Sequence, residues 1–166
     1  MKTRRCSIKL KDSKKLFLEI SKRLNFNFEV LFSFKSKVEI VEISSVKLYI
    51  VEGKPLFFKI SQLVMPTLLF DKFYSTLPRI VVDMGAVPFV CKGANIMVPG
   101  IVRVEAEFEK DKLVVIVDEK HGKALAIGES LYASNEIRNM KQGIVITNLH
   151  FVSDKIWTAA KALIEK

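Results

Sequence analysis

The sequence predicts an α+β protein with two small domains, the second of which is a β-barrel. Its 166 residues are enough for two such domains. An amphipathic helix followed by alternating strands indicates the first domain, and short strands between glycine turns indicate a barrel in the second. The boundary is placed near Ser75-Thr76-Leu77-Pro78, which gives domains at residues 1–77 and 78–166. Because this connection is short and has no Gly/Ser-rich linker, we expect the N-terminal domain to pack on the barrel.

A change in hydrophobic period predicts the elements of the first domain. Asp12-Ser13 is expected to cap a helix whose apolar residues fall at helical spacing, namely Leu16, Phe17, Ile20 and Leu24. The period then becomes two, which predicts strands at residues 28–35, 38–43, 46–51 and 56–60. Pro66 is expected to open a short helix over residues 67–74.

The stretch Pro78 to Gly100, PRIVVDMGAVPFVCKGANIMVPG, forms the centre of the second domain. Ile80–Val82 predicts a buried strand, and Asp83 is expected to cap the two-turn helix that follows over residues 85–92. Gly93 stands where a left-handed helix end belongs. A second short strand then ends at Pro99-Gly100.

The rest of the chain predicts further strands and two helices. Strands are expected at residues 102–108, 112–117, 124–127 and 143–147, with Gly128 ending the third of them. Ser134 is expected to cap a helix over residues 135–140, and Ser153-Asp154 a C-terminal helix.

Charge is concentrated in the first domain. The whole chain carries a formal net charge of +9, and residues 1–77 hold 15 basic and 7 acidic residues, or +8. Lys14, Lys15, Lys22 and Arg23 are expected to lie away from the apolar stripe of the first helix. Such a face is either solvated or a docking surface for an anionic partner, and the net charge of +9 favours nucleic acid over an acidic protein or a membrane surface as that partner.

Nothing in the sequence indicates catalysis, a cofactor or a metal site. The two histidines, His121 and His150, are far apart, and no His/Cys pair has the spacing of zinc ligands. We expect Asp83 to cap a helix and His150 to have a structural role. Two cysteines, no secretory signal and no long apolar run predict a soluble, reduced, cytoplasmic protein.

The residues VVDMGAVPFVCKGANIMVPGI carry a resemblance to the PUA domain, a small RNA-binding β-barrel. The segment GANIMVPGI, with the later Leu149-His150-Phe151 and Trp157, resembles a narrower family. That family is the two-domain PUA translation proteins typified by the "multiple copies in T-cell lymphoma" protein and its archaeal relatives. The resemblance implies an N-terminal α+β domain packed on a PUA-like β-barrel.

The resemblance also implies a function and a binding surface. In PUA domains the signature helix, the loop after it and a nearby strand hold RNA, which implies an RNA-binding set of Lys92, Gly93, Asn95, Pro99 and Gly100. The family implies docking on the small ribosomal subunit, with a partner translation factor, in initiation, reinitiation or recycling. Two alternatives stay open: an accessory protein for tRNA or rRNA modification, and an adaptor that binds an acidic protein through its basic N-terminal face.

Overall fold

The structure, a computed structural model, describes residues 4–165. The chain divides into two compact units, one with the residues up to Leu69 and those from Ala159 onward, the other Phe70–Thr158. The first contains a helix and a five-stranded sheet, and the second contains a six-stranded sheet curled into a half-barrel. The predicted fold class is therefore confirmed. The domain limits 1–77 and 78–166 stay a prediction.

The first unit is an antiparallel sheet in sequence order with a helix before its second strand. Leu16, Phe17 and Ile20 are buried, as the helical spacing predicted. The elements are β1 (Arg5–Ser7), α1 (Leu10–Leu24), β2 (Val38–Ile43), β3 (Val46–Val51), β4 (Lys54–Ile60) and β5 (Leu63–Pro66), and the sheet order is β1-β2-β3-β4-β5.

The strand predicted at residues 28–35 is wrong. The segment begins with a short 3₁₀ helix, Phe28–Val30, and Oδ1 of Asn27 accepts a hydrogen bond from the Glu29 amide at 3.0 Å. The Phe28 ring packs edge-on against Phe57 with centroids 5.2 Å apart. Phe28 therefore reaches the core from an irregular segment, where ring packing and not a ladder of backbone hydrogen bonds holds it.

Two other predictions for the first unit are corrected. Helix α1 begins at Leu10, and Asp12-Ser13 is not its cap, because Ser13 Oγ donates back to the Lys9 carbonyl, one turn earlier, at 3.4 Å. Residues 63–66 form β5 against β4. The helix predicted over residues 67–74 is therefore reduced to its last turn, α2 (Asp71–Tyr74), which lies in the second unit.

The second unit is built on a sheet in the order β7-β11-β10-β9-β6-β8, in which only the β6–β9 pair is parallel. Its core combines strand residues such as Val82 and Ile116 with Val90 from a short helix. After α2, the elements are β6 (Arg79–Val82), α3 (Val87–Val90), β7 (Ile96–Met97), β8 (Ile101–Glu105), β9 (Leu113–Asp118), β10 (Ala124–Ser130), α4 (Ser134–Asn139), β11 (Ile144–Phe151) and α5 (Lys155–Ile164). The last helix, α5, begins in the second unit, and its residues from Ala159 onward belong to the first.

Strand β10 continues through Gly128, where the sequence predicted its end. A Cβ on this glycine would lie 2.5 Å from Cγ2 of Ile146 and 2.8 Å from the Thr147 carbonyl oxygen. The glycine therefore permits close contact with β11 at a bulge in the β10–β11 pairing. Close packing, and not a turn, is the reason that a glycine stands here.

Of the caps predicted for the last two helices, the first is wrong and the second is confirmed. Ser134 is not a cap: its hydroxyl donates to Glu107 Oε2 at 2.7 Å and accepts from the Phe108 amide at 3.1 Å. Asp154 does cap α5, because its Oδ1 accepts from the Trp157 amide at 2.6 Å.

Candidate nucleic-acid interface

The start of α3 is joined to the turn that precedes β8. Oδ1 of Asp83 accepts from the Ala86 amide at 2.8 Å, so this carboxylate caps the turn leading into α3. The Asp83 amide donates to the Gly100 carbonyl at 2.9 Å, and a Cβ on Gly100 would lie 3.1 Å from Cβ of Ala86. Pro99-Gly100 therefore lies beside the first residues of the signature helix.

The end of α3 is closed by a paired hydrogen-bond motif. The Gly93 amide donates to the Val90 carbonyl and the Ala94 amide to the Phe89 carbonyl, both at 3.0 Å. This is the Schellman arrangement, which needs a left-handed residue just after the helix. Gly93 has a φ of +91°, so the sequence prediction of a positive φ at this glycine is confirmed.

Asn148 on β11 holds the loop after α3 in place. Its Nδ2 donates to the Val90 carbonyl at 3.1 Å and to the Ala94 carbonyl at 3.0 Å. Its backbone amide donates to Oδ1 of Asn95 at 3.0 Å. Sequence reasoning missed this residue, because nothing near it in the chain indicates that it meets a loop more than fifty residues earlier.

Around α3 the structure brings together five of the predicted RNA-binding residues. We call them the signature surface: Lys92, Gly93, Asn95, Pro99 and Gly100. Lys92, Asn95 and Pro99 are exposed, whereas the two glycines are half-buried. The acceptor oxygen of Asn95 is engaged by β11, which leaves its amide nitrogen as the donor for a ligand.

The other four predicted residues lie on α1 in the first unit, and all four are exposed. At about 100° per residue, Lys14, Lys15 and Lys22 share the outer side of the helix with Lys11, which sequence reasoning did not single out. We call these four lysines the α1 face. Arg23 lies instead on the flank of the helix, one turn after Glu19. The ammonium group of Lys14 lies 5.5 Å from the centroid of the Phe34 ring.

The titratable groups near the end of β11 make structural contacts. His150 is fully buried, and its Nδ1 lies 2.6 Å from Oδ2 of Asp154. Burial raises the pKa of Asp154, but the hydrogen bonds from His150 and from the Trp157 and Phe151 amides outweigh it, so the net pKa is lowered. His150 therefore has the structural role that the sequence predicted.

Metal-binding clusters and membrane-spanning helices are absent from the part of the chain that the structure describes. Within residues 4–165, no three His, Cys, Asp or Glu side chains come together as a metal site would require. In the same range, every helix falls short of the length and apolar character needed to cross a membrane. Burial raises the pKa of the Cys91 thiol, which packs against the core of the second unit.

Two family models match parts of this chain, and several known proteins are similar to it in sequence. The PUA domain model matches residues 78–152, and a model described as a domain of unknown function, DUF1947, matches residues 4–70. Translation machinery-associated protein 20 from Saccharomyces cerevisiae is 37% identical over 131 residues, covering 74% of this chain and 72% of that protein. Malignant T-cell-amplified sequence 1 from Danio rerio is 36% identical over 129 residues, covering 74% of this chain and 71% of that protein.

The fold also matches solved structures. A hypothetical protein from Pyrococcus horikoshii OT3 is 28% identical with a TM-score of 0.76, over 95% of this chain and 99% of that one. The half-barrel with its signature helix thus defines a PUA-domain protein. The chain belongs to the PUA family that includes translation machinery-associated protein 20 and malignant T-cell-amplified sequence 1. The resemblance drawn from the signature stretch is confirmed.

Proposed function

We propose that the protein is a non-enzymatic, cytoplasmic RNA-binding protein of the translation apparatus. Its finer role is docking on the small ribosomal subunit during initiation, reinitiation or recycling, together with a partner translation factor. The observation that carries the proposal is the pre-formed signature surface in a chain 37% identical to translation machinery-associated protein 20. A surface held by hydrogen bonds before binding loses little conformational entropy when it binds RNA.

The signature surface has the chemistry for recognising RNA shape. Lys92 supplies a positive charge for a phosphate, and the Asn95 amide nitrogen can donate to a base edge or a 2′-hydroxyl. Pro99 and Gly100 place a second backbone segment beside the same helix, since the Gly100 carbonyl accepts from Asp83. Gly93 acts through the backbone, because it closes the helix and sets the direction of the loop.

The α1 face supplies longer-range electrostatic attraction to RNA. Its four lysines are exposed, and they surround Leu18, whose side chain is 54% exposed. Lysines that contact phosphates release condensed counterions, so they strengthen binding to any RNA sequence. We therefore assign general affinity to the first unit and selectivity to the signature surface.

Binding, and not chemistry, is the proposed mode of action. Asp83, before α3, and Asp154, the hydrogen-bond partner of His150, both accept hydrogen bonds from backbone amides. A general base needs a free lone pair directed at a substrate. The geometry thus favours structural roles for these carboxylates.

Cosedimentation with purified small ribosomal subunits tests the proposal. The full-length protein should sediment with the subunits, and the fraction bound should fall as salt rises. A variant with Lys14, Lys15, Lys22 and Arg23 changed to Gln should bind less. A variant with Lys35, Lys37, Lys47 and Lys54 changed to Gln is the control, because it loses the same charge from other exposed positions of the first unit. Absence of cosedimentation at low salt would contradict the proposed docking on the small ribosomal subunit. Capture of a protein that persists after RNase treatment would favour the adaptor alternative.

A further inference from the structure

Phe89, on α3, is an exposed aromatic residue that the predicted binding set does not include. Its side chain is 67% exposed. All twelve phenylalanines of the chain lie among the described residues, and the other eleven are buried or partly buried. An aromatic ring left in solvent forgoes the stabilisation that burial would provide. Such a ring is therefore a candidate for contact with a ligand.

The backbone beneath Phe89 is held rigidly. The Phe89 carbonyl accepts from the Lys92 amide at 3.1 Å and from the Ala94 amide at 3.0 Å. The next residue, Val90, is buried in the core, and its carbonyl accepts from Asn148 Nδ2. The direction in which the Phe89 side chain leaves the surface is therefore set before any ligand arrives.

An exposed cation follows this ring in the chain. Lys92 stands three residues after Phe89, in the turn that closes α3, and its amide donates to the Phe89 carbonyl at 3.1 Å, so the two residues lie at the same exposed end of the helix. A flat apolar face beside an ammonium group matches an unpaired nucleotide, whose base can stack on the ring while its phosphate contacts the lysine. In a duplex the base faces are covered by their neighbours, and only the phosphate contact would be available.

We propose that Phe89 is a stacking platform for one unpaired base and that, with Lys92, it directs the signature surface toward single-stranded RNA. This inference rests on the proposed RNA-binding function, which it makes more specific. It predicts a preference for loops, bulges or ends over duplex RNA. It also predicts that the contribution of Phe89 is insensitive to salt, because stacking releases no condensed counterions.

The experiment uses the full-length protein and a short single-stranded RNA that carries 2-aminopurine, with the same RNA in a duplex for comparison. The Phe89→Leu variant keeps an apolar side chain but removes the ring, and Phe89→Trp keeps a ring. Tyr132→Leu removes another exposed aromatic ring of the same unit and serves as the matched control. Because Phe89 is exposed, all three variants should fold, which thermal unfolding can verify.

The expected result is a loss of about five- to a hundredfold in single-strand affinity for Phe89→Leu, with an unchanged salt slope. The change in 2-aminopurine fluorescence should disappear in Phe89→Leu and persist in Phe89→Trp and Tyr132→Leu. Parent-like binding by Phe89→Leu would overturn the inference while leaving the RNA-binding function intact. Equal losses of RNA affinity in Phe89→Leu and Phe89→Trp would also overturn the inference, since they would indicate a contact that is not stacking. Failure of the parent protein to bind either RNA would reject both proposals.

Discussion

The ring of Phe151 occupies the space into which a side chain at position 93 would project. A Cβ built on Gly93 would lie 2.8 Å from Cε1 and 3.0 Å from Cζ of that ring. Gly93 thus meets two separate requirements, a positive φ at the end of α3 and room for a ring from the end of β11. The close approach that the glycine permits is made by a phenyl ring of the protein itself.

Substitution of Gly93 should therefore destabilise the second unit through two effects. Gly93→Val should lower the free energy of unfolding by more than about 1 kcal/mol, the usual left-handed penalty, because a clash with Phe151 adds to that strain. Gly143→Val is the matched control. It also has a positive φ, of +102°, but its Cβ would meet only Met140 Cε at 3.9 Å. Urea denaturation of both variants measures the difference, and equal costs would contradict the steric effect of Phe151.

Loss of the Asn148 side chain should loosen the signature loop. Asn148→Ala removes both hydrogen bonds to the Val90 and Ala94 carbonyls and should cost about 1–3 kcal/mol of stability. Its RNA affinity should also fall more than that of a variant destabilised equally at another site, because the loop is no longer pre-formed. Asn139→Ala, which removes a single exposed hydrogen bond to Asn135, should be nearly neutral. If Asn148→Ala binds RNA as the parent does, the loop does not depend on this clamp.

The α1 face should dominate the salt dependence of RNA binding. Changing Lys11, Lys15 and Lys22 to Gln should lower affinity for all RNAs and flatten the slope of log affinity against log salt by about 0.7 per lost contact. Changing Lys35, Lys47 and Lys54 to Gln removes the same charge from other exposed positions of the first unit and should have a smaller effect. Fluorescence anisotropy at several salt concentrations measures both. Equal slopes for the two variants would mean that only net charge matters.

The β9–β10 hairpin should contribute to the acid sensitivity of the second unit. Oδ1 of Asp118 accepts from the His121 amide at 2.5 Å and Oδ2 from the Lys123 amide at 2.9 Å. These hydrogen bonds hold the pKa of Asp118 below its usual value. A carboxyl with a lowered folded-state pKa stabilises the fold above its unfolded pKa, and this contribution is lost as the pH falls through the folded value.

Asp118→Asn should therefore be less stable than the parent at neutral pH, and its stability should fall less between about pH 5 and pH 2. Asp111→Asn, at an exposed carboxylate, is the control. Thermal unfolding across this pH range gives the comparison. If the stability of Asp118→Asn depends on pH as that of the parent does, the Asp118 carboxylate does not contribute to the acid sensitivity of the second unit.

Much of the fold followed from local patterns in the sequence. The alternating runs that became β2 and β3, the helical stripe of α1 and the Asp154 cap of α5 are determined by residues close together in the chain. The signature stretch likewise predicted a strand, a short helix and a left-handed glycine in the correct order. These features depend on periodicity, capping and φ preference, which a few neighbouring residues decide.

Tertiary structure decided the features that depend on distant partners. Phe28 belongs to an irregular segment because Phe57 receives its ring, and Gly128 continues a strand because β11 packs against it. Asn148 holds the signature loop from another strand, and Phe89 stays exposed because Val90 is the residue that turns into the core. The sequence therefore determined most of the elements and the family, whereas the geometry of the signature surface was decided by packing between segments that no local pattern connects.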